Sequence, residues 1–224
     1  MVDAYEMTNG LAITDPSSGY NPQNPYVNRD SRFYQTIVGQ GMTWKGHVVD
    51  VRPGGADLKT DHPPTNYFLR KFMAEEINLF EGTNMKYRPW ILMRLAELYL
   101  DLAEAQNEAA GPDQEVYNAI NTIRKRSDMP DLPPGLTKVQ MRERIRKERQ
   151  VELAFEDHRF WDVRRWKIAE TTDNRPIHYV SISASNVYSY PIRETRTFLS
   201  KHYLFPIPQS EIDKNPKLTQ NPGW

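Results

Sequence analysis

A chain of 224 residues with 29 basic and 29 acidic side chains, no formal net charge and no cysteine is long enough to bury the core of one or two domains. The even charge excludes a general electrostatic affinity for nucleic acid or acidic lipid, and the missing thiols exclude disulfides, thiolate metal sites and cysteine nucleophiles. No apolar run approaches the roughly 20 residues that cross a bilayer. The opening MVDAYEMTNG lacks the basic start and apolar stretch of an export signal and reads like the interior of a longer protein.

Residues 1–89 form a turn-rich stretch that holds eight of the eleven glycines and seven of the seventeen prolines, so loops and short ordered pieces are expected there. SGYNPQNPYVNRD and VRPGGADLKTDHPPTNY are long for structureless loops, a length that often goes with binding. RFYQTIVG is the one strand candidate, and NYFLRKFMAEEI suits either a strand or a short helix.

Residues 90–170 carry the helical scaffold. Ile91, Leu95, Leu98, Leu102, Ala105 and Ala109 recur at steps of three and four, the period of an amphipathic helix, and Gly111 with Pro112 stops it. A second helix over 113–126 places Val116, Ile120 and Ile123 on one stripe, with Asp113 as its cap. The two should fold back as a hairpin. Thr137 followed by Gln140 is a capping-box pair that starts a third, longer helix, running past Val151 and toward Ala169. Residues 171–224 have aromatics and prolines without helical period and are expected as an extended tail lying over the helices.

The densest chemistry is ELAFEDHRFWDVRRW, residues 152–166. A glycoside hydrolase needs two opposed carboxyls, yet Glu148, Glu152 and Glu156 follow one another along one helix, and Arg149, Arg159, Arg164 and Arg165 would keep such acids ionised. The five histidines, at 47, 62, 158, 178 and 202, show no metal-ligand spacing, and neither metal nor cofactor is implied. Arg142, Arg144, Arg146, Lys147 and Arg149 are interrupted by Glu143 and Glu148 and read as a self-paired helix face rather than a nucleic-acid grip. Met141, Ile145, Glu148, Val151 and Phe155 share a face, which puts the Glu148 carboxylate in the core. It then needs a cationic partner, and Arg94, Arg124 and Arg126 are the candidates.

MRLAELYLDLAEAQNEA, AINTIRKRSDMP, RIRKERQVELAFEDHRFWDVRRW and the closing YLFPIPQSEIDKNPKLTQNPGW, preceded by YNPQNPYVNRDSRFYQTIV, resemble in order and spacing the carboxyl-terminal half of the SusD/RagB family. Asp157 stands where that family often has glycine, and aspartate tolerates the left-handed conformation that a kink there would use. The resemblance implies a mainly α, SusD-like fold with tetratricopeptide-type helical hairpins, long loop-rich insertions and an extended C-terminal tail. It further implies a non-catalytic protein of the outer membrane's extracellular face that binds oligosaccharide or another nutrient and passes it to a SusC-like TonB-dependent transporter. Membrane contact would run only through a lipid anchor, on a cysteine absent from this chain. A tetratricopeptide-type interaction scaffold is the alternative, and a glycoside hydrolase a weaker one.

A sugar ring offers an apolar face and a rim of hydroxyls, so its site needs flat aromatics beside short polar groups. Trp44, set between glycines in GQGMTWKG, is the leading platform, followed by Tyr20 and Tyr26 with Asn28 and the neighbouring Asn21 and Asn24. Arg29, Asp30, Arg32, Phe33, Trp161, Trp166 and the terminal residues 221–224 match the family motifs and read as structural.

Overall fold

The computed structural model describes residues 1–58, 65–75 and 90–224. After a 3₁₀ turn at Val2–Ala4, α1 (Ser31–Thr36) leads into β1 (Ile37–Val38), the hairpin β2 (Thr43–Trp44) and β3 (His47–Val48), and β4 (Phe68–Leu69). The scaffold follows as α2 (Leu95–Ala110), α3 (Gln114–Arg126), α4 (Lys138–Glu152), α5 (His158–Arg165) and α6 (Ala169–Thr172). The remainder holds β5 (Pro176–His178), β6 (Ser181–Ile182), β7 (Tyr188–Ser189), β8 (Ile192–Thr195), a 3₁₀ turn and α7 (Gln209–Lys214). Strands pair only as antiparallel twos among the described residues: β1 with β4, β2 with β3, β5 with β8 and β6 with β7.

Helices α2 and α3 form the expected hairpin, and α4 packs against them over Leu100, Ala103, Val116, Ile120, Met141 and Ile145. The starts of α3 and α4 follow from their caps. Asp113 accepts from the Val116 amide at 3.0 Å, and Thr137 with Gln140 closes a capping box, as the sequence predicts. Gly111, at φ 95°, ends α2 in a conformation that glycine adopts without strain.

Three expectations change and one open alternative is decided. RFYQTIVG is mostly the helix α1, because Asp30 caps it through the Arg32 amide at 2.9 Å, and only Ile37 and Val38 pair as strand. NYFLRKFMAEEI supplies β4, while its last two residues lie outside the described ones. The third helix stops at Glu152, since Phe155 and Asp157 turn left-handed at φ 61° and 63°; Asp157 thereby does what a glycine would do, and α5 starts afresh. Of the stripe Ile91, Leu95, Leu98, Leu102, Ala105 and Ala109, Ile91 precedes the helix and the other five belong to it but face outward, whereas Glu97, Leu100, Ala103 and Asn107 face the hairpin.

The last segment also divides its contacts. Phe198 and Tyr203 pack on Val163 and Ala169 of the scaffold. Val180 and Ile182 instead join Val38, Val49 and Val51 in a second core within the loop-rich part, where the Val180 amide and carbonyl bond to Thr65 and Asn66. Alternate apolar residues on a short strand bury against whichever surface they can cover, and here that surface belongs to residues 38–51.

Candidate functional site

The charged seam is an interlocked set of buried ion pairs. Arg32 Nη1 donates to Glu148 Oε1 at 2.6 Å and to Glu152 Oε2 at 3.0 Å, while its Nη2 donates to Asp30 at 2.7 Å. Arg124 reaches the other Glu148 oxygen and Glu6, each at 3.0 Å. Of the three expected partners of Glu148, Arg124 is therefore confirmed, whereas Arg94 and Arg126 bind Glu152 instead. The missed partner, Arg32, lies 116 positions away in the sequence, and no local pattern could have announced it. Burial works to raise the carboxyls of Glu152 and Glu156, but Arg94, with Arg32 on the first and Lys71 on the second, outweighs it and holds both below the usual carboxylate range. Acids so held do not donate protons near neutral pH. A cleft of 610 Å³ opens beside Tyr34, Lys71, Phe72 and Arg94, but its deeper cations already bond Glu152 and Glu156. Among the described residues no three histidine or carboxylate side chains are grouped to hold a metal.

The loop-rich part builds a different surface. Its foundation is Arg29, fully buried, whose guanidinium donates to the carbonyls of Pro25 and Val2 at 2.8 Å and of Tyr5 at 3.0 Å, and lies 5.5 Å from the Tyr20 ring and 5.0 Å from Phe33. Tyr26 stacks on Phe33 at 6.0 Å between centroids and meets the edges of Tyr67 and Tyr188 at 6.2 and 6.0 Å. Gly39 makes this approach possible, because a Cβ there would sit 3.1 Å from the Tyr26 ring and 3.3 Å from Tyr67. Gln23 clamps Tyr188 through both its backbone groups, at 2.8 and 3.0 Å, and the Tyr190 hydroxyl donates to Pro22 at 2.8 Å.

Five tyrosines thus converge from three chain segments: Tyr20 and Tyr26, Tyr67, and Tyr188 with Tyr190. All are half-buried, so each keeps part of its ring or hydroxyl open to solvent. Burial pushes the phenols up, that of Tyr67 to about 12 and those of Tyr26 and Tyr190 further, helped by the neighbouring tyrosines. The hydroxyls are therefore neutral at physiological pH, able both to donate and to accept. Aromatic faces with neutral hydroxyls and adjacent amides such as Gln23 are the chemistry that a sugar matches.

Trp44 lies at the tip of the β2–β3 hairpin, where Lys45 and Gly46 both have positive φ, the pattern of a tight two-residue turn. It is half-buried on the same valine core that supports Tyr67, Tyr188 and Tyr190, and the Arg70 guanidinium lies 5.7 Å from its ring centroid. Asn28 is exposed, sits at φ 55° and accepts the Thr8 amide through its carbonyl, which places it as a turn residue. Tyr20 and Tyr26 are brought together; their partners Tyr67, Tyr188 and Tyr190 were absent from the sequence-based candidates. Only the alternation of apolar residues around Val180 hinted that the last segment would fold onto the loops. Of the motif aromatics, Trp166 bonds Glu104 at 2.7 Å on α2, whereas Trp161 is 65% exposed.

The sequence profile described as the SusD family matches residues 1–224. SusD-like protein P2 of Formosa agariphila is 29% identical over 98% of this chain and 42% of its own. The crystal structure of the SusD-like protein BF3747 from Bacteroides fragilis superposes with a TM-score of 0.85 at 33% identity, over all of this chain and 46% of that one. A second B. fragilis structure, the SusD-like carbohydrate binding protein BF0978, gives a TM-score of 0.76 at 26% identity, over 97% of this chain and 47% of that one. The chain spans less than half the length of these relatives, but the match covers it throughout and agrees with its helical scaffold: it belongs to the SusD family.

Proposed function

We propose that the protein binds oligosaccharide, without chemical turnover, on the loop face formed by Tyr20, Tyr26, Tyr67, Tyr188 and Tyr190, with Trp44 and Asn28 as neighbouring contacts. The convergence of five half-buried, neutral tyrosines on one surface carries the reading. A relative described as carbohydrate binding supports the ligand class. The ion pairs around Glu152 and Glu156 argue against a hydrolase, since both carboxyls are held below the usual carboxylate range. Membership of the SusD family supports a place at the outer face of the outer membrane and delivery to a SusC-like TonB-dependent transporter, with a lipid anchor outside residues 1–224. No described helix is long and apolar enough to cross a membrane.

Calorimetric titration of a panel of neutral and acidic oligosaccharides tests the site. Binding is expected to one class of glycan. Tyr190→Ala and Trp44→Ala should each weaken it about tenfold, the loss of one aromatic platform worth about 1.4 kcal/mol. Unchanged affinity in a combined Tyr20→Ala, Tyr190→Ala, Trp44→Ala variant would remove this face from the site. Release of reducing sugar from a bound glycan would overturn the non-catalytic reading.

A further inference from the structure

Helices α2, α4 and α5 border a pocket of 300 Å³, where Glu104 and Glu108 of α2 meet Arg142, Ile145 and Arg146 of α4, with Arg165 and Trp166 at the end of α5. That volume lies at the lower end of the range that small-molecule sites occupy. None of these residues belongs to the tyrosine face. Ile145, part of the scaffold core, is the pocket's apolar lining, and the remaining walls are an aromatic ring and charged groups.

The charged groups are not equivalent. Arg142 spends its fork on Glu108, with Nε and Nη2 each donating at 2.6 Å. Arg165 does the same with Glu104, which also accepts the Trp166 indole N–H at 2.7 Å. Burial works to raise the Glu104 carboxyl but those bonds outweigh it, and Arg142 lowers that of Glu108, so both acids stay ionised. Arg146 is different. Its Nη1 donates at 2.9 Å to Glu143, whose side chain is 65% exposed, and exposed pairs of this kind contribute little. Its Nε is buried with no hydrogen-bond partner among the described residues. The guanidinium is nevertheless held in place: its carbon lies 5.0 Å from the Trp166 ring centroid and that of Arg165 4.8 Å from the same centroid, the spacing of cation–π contacts. Native proteins rarely leave a buried donor unpaired. A fixed guanidinium with unspent donors suits a planar carboxylate, which it can grip through two parallel bonds.

The two acids define the rest of the ligand. A carboxylate offers about four acceptor sites, and the fork of one arginine takes two of them, so Glu104 and Glu108 can also accept hydroxyls. Their charge disfavours a ligand with two negative groups, since like charges repel strongly at close range. We infer that this pocket binds a polyhydroxylated monocarboxylate, in chemical class a sugar acid. Arg146 takes the carboxylate, Glu104 and Glu108 accept hydroxyls, and Ile145 meets a C–H edge of the ring. It is a second ligand site on the scaffold, independent of the tyrosine face, and either proposal can fail alone.

D-Glucuronate is the probe, titrated into the 224-residue protein by calorimetry and by nuclear magnetic resonance of the Trp166 indole N–H, identified through its loss in Trp166→Phe. One-to-one binding that moves this resonance is expected. D-Glucose, without the carboxylate, and inorganic phosphate, without the ring and its hydroxyls, should each bind at least about tenfold more weakly. Arg146→Gln should weaken glucuronate binding about tenfold and leave the thermal midpoint unchanged, since glutamine keeps the helix. Arg146→Lys, which retains the charge but not the fork, should recover part of the affinity, and it decides the matter if glutamine lowers the midpoint. Tyr190→Ala should leave glucuronate binding as it was. Four results would overturn the proposal: neither heat nor a shifted resonance under a large molar excess of glucuronate, full affinity in both Arg146 variants, binding lost in Tyr190→Ala, or phosphate bound as tightly as glucuronate. The last would make the pocket a site for an adventitious ion only.

Discussion

The helical scaffold and the loop face are both built around buried arginines, but the arginines do opposite things. In the scaffold Arg32 and Arg124 grip the Glu148 carboxylate, tying α1, α3 and α4 by charge. Beneath the loop face Arg29 bonds only backbone carbonyls and lies against the rings of Tyr20 and Phe33. It thus ties the amino-terminal turn to the Pro25 loop beneath the aromatic surface. A charge network suits a part whose geometry must not move. A neutral aromatic layer, supported from below, suits the exchange of water for a ligand that is proposed for the loop face.

This contrast is broken most directly at Glu148. Glu148→Ala leaves Arg32 and Arg124 buried with one partner fewer and should cost about 3 to 5 kcal/mol, read as a lower denaturant midpoint with an unchanged slope. An unchanged midpoint would mean that the network contributes no stability. Acid comes next. The folded-state pKa values of Glu152 and Glu156 are depressed, so the stability they confer is complete above the unfolded value of about 4.3 and is lost as pH falls through the folded values. Thermal midpoints should therefore be flat from pH 7 to about pH 5 and fall below about pH 4. Glutamine at both positions should flatten that fall from a lower starting point. The smallest effect is aimed at the other region: Gly39→Ala should push Tyr26 from Tyr67, weakening glycan binding at a stability cost of about 1 kcal/mol. Unaltered binding with unaltered stability would show that the tyrosine packing is looser than the 3.1 Å approach indicates.

Legibility differed in the same way between the two regions. Helices α2 and α3, the capping box at Thr137 and the buried position of Glu148 were readable, because helix period and caps are properties of neighbouring residues. The left-handed turn at Asp157 was readable too, since few residue types accept it. Which side of α2 is inside was not, because a helix with two apolar sides satisfies the same period whichever side is covered. The end of α4 at Glu152 and the helical state of Ser31–Thr36 were settled by an aspartate cap and left-handed turns that compete with the apolar pattern. At the candidate site, Tyr20, Tyr26 and Trp44 could be picked out from their polar and glycine-rich surroundings. Tyr67, Tyr188 and Tyr190 could not, since they reach the surface through contacts spanning more than 100 positions.

By itself the sequence determined that this is a mainly helical scaffold with aromatic loops, what caps its helices, that one glutamate is buried, and that the family is SusD. These follow from composition, spacing and motif order, all carried by residues close together along the chain. The tertiary structure alone decided that Arg32 completes the Glu148 pair, that the last segment lends two tyrosines to the loop face, and that the leucine row of α2 faces outward. Each depends on which distant surfaces meet, and that is set by the free energy of burying them together rather than by any local pattern.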